Sequence, residues 1–281
     1  MKSGKDKMRE YEEAFKKTAI PTTRVSGSGK VHIEGIGEVF ISGSGFVSPE
    51  EIRISGSGRL PGGIKVGKFS CSGSVTVDGD IEAEETRFSG SASIAGNVTA
   101  KTLSASGSFL AEGNARGGAM RFSGSCRILG EVELEDFLQA SGSLRVSGDV
   151  KARHSVELHG RFTVGGKVIT ENFEAELARQ ESRIRRGIEA VNVEIRKREF
   201  RGLVVFGIPV FGWFSRKGKL STSDITAKGK VFIENVYCEN VTGKDVIIGE
   251  GCIIKGKVKY SGEISVHQDA KLAHAPEKNE E

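Results

Sequence analysis

Residues 69–83 read FSCSGSVTVDGDIEA, and residues 86–100 read TRFSGSASIAGNVTA. Laid one above the other, Gly73 meets Gly90, Gly79 meets Gly96 and Val77 meets Ile94. The register runs on outward. Gly107 and Gly124 follow at steps of seventeen, and Gly142 and Gly160 at steps of eighteen. A second glycine column trails six residues behind at Gly79, Gly96, Gly113, Gly130 and Gly148, with Gly165 one residue early. A unit this short cannot bury its own apolar face, so a tandem repeat of it implies stacking.

Apolar residues fill six columns around the first glycine. Two before it are Cys71, Phe88, Ala105, Phe122, Ala140 and Leu158; four before it are Phe69, Thr86, Leu103, Met120, Leu138 and Val156. Two and four after it lie pairs such as Val75 with Val77 and Phe109 with Ala111, and eight and ten after it pairs such as Ile81 with Ala83. Members of each pair are two residues apart, the spacing that puts both side chains on one face of a strand. Steps of three or four between pairs require corners, and glycine marks two of the three. Three short strands and three corners per unit predict an all-β fold, a single-stranded, triangular, parallel β-helix (solenoid) with about 17 residues per coil. A helical reading fails because no sustained 3.6-residue period fits such columns.

Composition narrows the class. With 281 residues and 37% hydrophobic content the chain can bury one elongated core. Aromatic content of 7% suits an interior that accepts one side chain per column per coil. The four cysteines, Cys71, Cys126, Cys238 and Cys252, form no Cys-x-x-Cys pair and read as small buried hydrophobes of a reducing cytosol. Met1 to Lys17 lacks the apolar run of a signal peptide, and no stretch reaches the length of a membrane span. A net charge of +4 does not point to nucleic acid.

In chain order, residues 1–24 are expected to be a mobile charged tail and 25–201 a β-solenoid. Within the latter, 25–68 read as shortened first coils around Gly27, Gly43 and Gly56. Between 171 and 201 two readings compete. Phe173, Leu177, Ile184, Ile188, Val191 and Ile195 fit one helical face, yet Val191 to Ile195 alternate as a strand, and Gly187 with the β-branched content favours further coils. Residues 202–220 are an apolar insertion, 221–269 are further coils, and 270–281 a disordered polar tail.

The insertion supplies the candidate contact residues: Leu203, Val205, Phe206, Ile208, Val210, Phe211, Trp213 and Phe214, followed by Arg216 and Lys217. Three readings stand open for it: a plug folded over the stack, a contact for another subunit, or a contact with the headgroup layer of an anionic membrane. A basic bias from Arg179 to Lys219 would add attraction to anionic lipid. No catalytic, cofactor or metal site is expected. The Ser-Gly-Ser serines read as turn formers that bond their own backbone, not as nucleophiles. His154 and His159, placed near the third corner of one coil, lack a third metal ligand. Asp78, Asp80, Glu112 and Asp149 flank corner glycines without forming a calcium nonapeptide.

The repeat at 72–83, 89–100 and 141–152, Ser-Gly-Ser followed by Gly-Asp/Asn and Ala, resembles the bactofilin family of polymer-forming cytoskeletal proteins. Val246 to Cys252 and Val258 to Ser261 also resemble its longer members. The resemblance spans roughly residues 25 to 270. It implies a right-handed triangular β-helix that joins end to end into filaments without nucleotide, in the cytoplasm and often at the inner face of the membrane. The leading expectation is a non-enzymatic scaffold whose partner is itself, with no nucleic acid and no small-molecule substrate. The alternatives are a membrane-surface adaptor using the insertion and basic band, and a left-handed solenoid acyltransferase with His154 or His159 as base. The tandem hexapeptides of the last are missing.

Overall fold

A computed structural model describes residues 23–33, 36–198 and 218–279, together with the backbone of 204–205 and 208–209. They form an all-β solenoid of about 12 turns with roughly 17 residues per turn and no helix. Ile64–Asp78, Ile81–Ile94, Val98–Ala111 and Ala115–Ile128 stack in parallel with every Ser-Gly-Ser in register. The inward columns are those the spacing predicts. Val77, Ile94 and Ile128 are fully buried and Val146 is 1% exposed. Aromatic rings from neighbouring columns touch inside the stack, Phe69 on Phe88 at 5.3 Å, Phe88 on Phe109 at 6.0 Å and Phe109 on Phe122 at 5.3 Å between centroids. Small Ala105 and Ala140 alternate with Phe88 and Phe122 in one column, which keeps the volume of each layer level.

The two glycine columns have different causes. Gly107 has φ +123°, and a methyl there would sit 2.2 Å from the Gly90 carbonyl oxygen. Glycine lets the strand bend onto the next face while main chains touch. At Gly113 a methyl would instead lie 2.6 Å from the Asn97 side-chain oxygen. That column makes room for an amide ladder: Asp80 Oδ1 accepts the Asn97 backbone N–H at 2.6 Å, Asn97 Oδ1 that of Asn114 at 2.9 Å, and Asn114 Oδ1 that of Glu131 at 2.9 Å. Asp149 does the same for Lys167 at 2.8 Å. So Asp80 and Asp149 satisfy corner N–H groups of the next coil.

Residues 25–68 are not all shortened coils, and this corrects the expectation. Thr23–Ile33, Gly37–Val47 and Glu51–Pro61 pair antiparallel, with Gly27 opposite Gly43 and Gly43 opposite Gly56. The chain turns back after two faces because it lacks the third-face pair, and parallel stacking starts only from Glu51–Pro61 onto Ile64–Asp78. Direction reversal lays the column two after one glycine over the column two before the next. Glycines two residues after the corner, Gly45 and Gly58, also relieve crowding within their own strands: a methyl at Gly58 would lie 2.6 Å from the Ile54 side chain. Thr23 and Arg24 belong to the first strand, so the tail boundary at 24 lies two residues too far along. Residues 1–22 lie outside the described residues.

Of the 171–201 stretch, the described residues to 198 lie in or between strands, Val168–Leu177, Ser182–Ile184 and Ile188–Lys197, and 199–201 lie outside the described residues. Val193 and Ile195 point inward, while Val191 is 39% exposed beside the corner, so the alternation begins two residues later than the sequence suggests. Beyond, Leu220–Thr222, Asp224–Ala227 and Lys230–Ile233 stack on Val236–Cys238, Asn240–Gly243 and Asp245–Ile248, one strand per face. The expected disordered tail is also corrected. Lys271–Leu272 pairs with Ile253–Ile254, and Glu277–Lys278 with Lys259–Tyr260, because Leu272 still has core to cover. All four cysteines are buried and free.

Candidate interaction surfaces

The insertion leaves the stack at the glycine corner. Ser182 pairs with Leu220 and Val193 with Val231, so the inward columns resume in register on either side of residues 198–219. At that corner the coil before it bulges through Leu177 to Glu181, and the coil after it turns on Asn235, whose φ is +52°. Val204–Val205 pairs antiparallel with Ile208–Pro209, a hairpin of its own. Of the candidate contact residues, the backbone of Val205 and Ile208 lies in this hairpin. Leu203, Phe206, Val210, Phe211, Trp213, Phe214, Arg216 and Lys217 lie outside the described residues.

Both ends of the stack present strand edges. Among the described residues, Thr23–Ile33 has a partner on one side only, as do Ile264–Val266, Lys271–Leu272 and Glu277–Lys278. Core contacts thin out toward the carboxyl end. Tyr260, Ile264 and Leu272 are partly buried and Val266 is 40% exposed. Unpaired N–H and C=O groups in such rows are templates for another strand.

Alongside the Ser-Gly-Ser corner runs an open groove of about 560 Å³, lined by Arg87, Ser89, Ser106, Arg121, Ser141 and His159 among others. The corner serines do not bond their own backbone as expected; the one side-chain bond they make among the described residues is Ser28 with Ser42 at 3.0 Å. They are small and polar at a crowded exposed edge. His159 sits in the same column, on the coil after Ser141 and before Glu176, and not at the third corner. This stacking resembles a Ser-His-Glu relay in order alone. His159 Nδ1 is 3.7 Å from Glu176, beyond hydrogen-bond range, and its buried Nε2 has no partner, the Ser141 hydroxyl included. His154 Nδ1 is paired with Glu171 at 3.2 Å. Among the described residues no three or more His, Cys, Asp or Glu side chains are grouped to hold a metal ion.

Burial pushes the Cys71 and Cys252 thiols up to about 11 and raises Cys126 and Cys238 as well, opposite to what a nucleophilic cysteine needs. Outside, ion pairs link successive coils: Lys65 to Glu82 at 2.8 Å, Arg59 to Asp78 at 2.7 Å, and Lys257 to Glu277 at 2.9 Å. They are exposed and screened by solvent, so they add little to stability. Arg121 lies 4.4 Å over the Phe137 ring and Arg196 4.7 Å over that of Phe232. The described surface offers strand edges, charges and hydroxyl groups for contact.

No protein-family model, no curated protein and no solved structure matches the chain.

Proposed function

We propose that this chain is a non-enzymatic structural scaffold whose solenoids join other copies of themselves end to end, as a bactofilin-like cytoskeletal polymer does. The observation that carries this reading is the pair of strand edges at the two ends of one continuous stack. An open solenoid end exposes both backbone polar groups and a cross-section of core, and another copy supplies both kinds of contact at once. Placing proline at Val31 and Ile264 removes a backbone N–H donor from each end strand and disfavours ladder pairing there. The variants stay monomeric at concentrations where the parent chain elongates, and elongation of the variants like the parent's would sink the reading.

A second reading, a peripheral adaptor on an anionic membrane, is favoured by one observation. The hairpin-bearing insertion departs from a corner next to exposed Arg183 and Arg185. Vesicles containing an anionic phospholipid discriminate: co-sedimentation that survives removal of residues 203–214 ends this reading.

A further inference from the structure

Two rows of like charge stand on the two faces that meet at the glycine corner, the acidic one following Arg121 and Gln139 in its own column. On the face after the corner, Arg127 and Arg145 are register partners on adjacent coils. Arg145 pairs on with Thr163, which pairs with Arg183, and exposed Arg161 lies two residues before Thr163. Arg127, Arg145 and Arg161 have no carboxylate within 4.0 Å among the described residues, while Arg183 meets its neighbour Glu181 at 3.4 Å. Like charges directly opposite one another on a sheet repel, so this row is left calling for anions.

On the face before the corner, Glu157, Glu174 and Glu194 form a column of register partners. Glu194 is paired with Arg196. Glu157 accepts only neutral donors, from Gln139 at 3.1 Å and Ser155 at 3.4 Å, and Glu174 has no cation within 4.0 Å among the described residues, Arg196 attracting it from farther off. Next to them Glu176 is neutralised by Arg198 at 3.5 Å and approached by His159. The two rows overlap along the stack, since the strand Ser155–Val164 carries Glu157 on one face and Arg161 on the other, with Arg127 and Arg145 on the two coils before it and Glu174 and Glu194 on the two after it.

We propose that the arginine face of one molecule docks on the glutamate face of a second copy, setting solenoids side by side. The contact is heterologous, so each copy offers one row and receives the other, and association continues laterally. This inference rests on the reading of the chain as a self-associating scaffold, but it uses flanks where that reading uses ends. The two are separable by shape.

Small-angle scattering of the full chain reads length and cross-section independently, at ionic strengths of ~0.01 M and ~1 M, where the screening length is about 30 Å and about 3 Å. The parent chain widens in cross-section at the lower salt and returns to single-solenoid width at the higher. R127E/R145E and E157K/E174K each lose the widening, with lateral association weakened by about tenfold or more. The combined four-site exchange restores the opposite-charge match and the widening with it. Circular dichroism and thermal melting check that the fold is kept, Glu157 being half-buried and Arg127, Arg145 and Glu174 exposed. Failure of the end-to-end reading appears as a length that never exceeds one molecule. Equal widening by parent and single-face variants overturns the lateral proposal, and so does an unchanged width in all of them. Arginine-dependent binding to anionic vesicles at unchanged width would assign the row to lipid instead.

Discussion

The coils of residues 64–164 and those of 220–266 solve the same stacking problem with different corners. In the first, a glycine at positive φ lets two faces run as one strand, as in Phe137–Val146, and cores alternate Phe with Ala and Cys. In the second, each face is a separate strand of two to four residues, corners fall on Asn235 or on Gly249 and Gly251, and the core is Val, Ile and Cys. Pairing steps there range from fifteen, Val231 to Val246, to eighteen, Val246 to Ile264. The lesson is that inward columns are fixed and corners are negotiable. A solenoid tolerates a 38-residue step from Ser182 to Leu220 as long as the ladders on either side meet in register.

The largest way to break this comparison is steric. G107V places a branched side chain where even a methyl would lie 2.2 Å from the Gly90 carbonyl. Clash together with strained φ destabilises by more than about 3 kcal/mol. N235A at the matching corner needs only an alanine in the left-handed region, costing about 1–2 kcal/mol. Urea unfolding measures both, and equal losses would mean that the glycine corner is no tighter than the other.

Next comes packing. F109A empties a site between two other rings and costs about 3–5 kcal/mol, whereas I248V in the aliphatic half costs about 0.5–1.5 kcal/mol. Thermal melts of the two variants rank them. Smaller still is the amide ladder: N97A orphans the Asn114 N–H for about 1–3 kcal/mol, while N97D keeps the acceptor and most of the stability.

The least effect comes from pH. The thiol of Cys71 is raised from 9.0 to about 11, so it stays protonated in the folded chain while an unfolded cysteine ionises. A raised folded pKa gives stability that is complete below the unfolded value and lost as pH climbs, here from 9.0 toward about 11. Melting temperatures fall across that window, and C71A flattens the part due to this thiol.

How much of this could be read from the chain alone follows from symmetry. The columns four and two before the glycine mirror those two and four after it, so the inward residues are legible whichever way a strand runs. For the same reason the reversal at Thr23–Ile33 and Gly37–Val47 is hidden in the pattern. Its traces are the missing third-face pair and the extra glycines Gly45 and Gly58. Val191 shows the other limit, since a corner shifted by two residues turns an alternating valine outward. The charge rows were scattered from view because register partners such as Arg127 and Arg145 are a whole coil apart in sequence. The contiguous basic run from Arg179 to Lys219 is legible in the sequence, and several of its described members are paired, as Arg183 and Arg198 are.

The central claim is that the ends of the stack bind each other. Negative-stain microscopy of the purified chain over a concentration series tests it most directly. With about 12 turns and strand spacing of about 4.8 Å, one molecule is a rod of about 60 Å. The account predicts rods that lengthen in multiples of that unit as concentration rises. Single-unit rods at every concentration would contradict it.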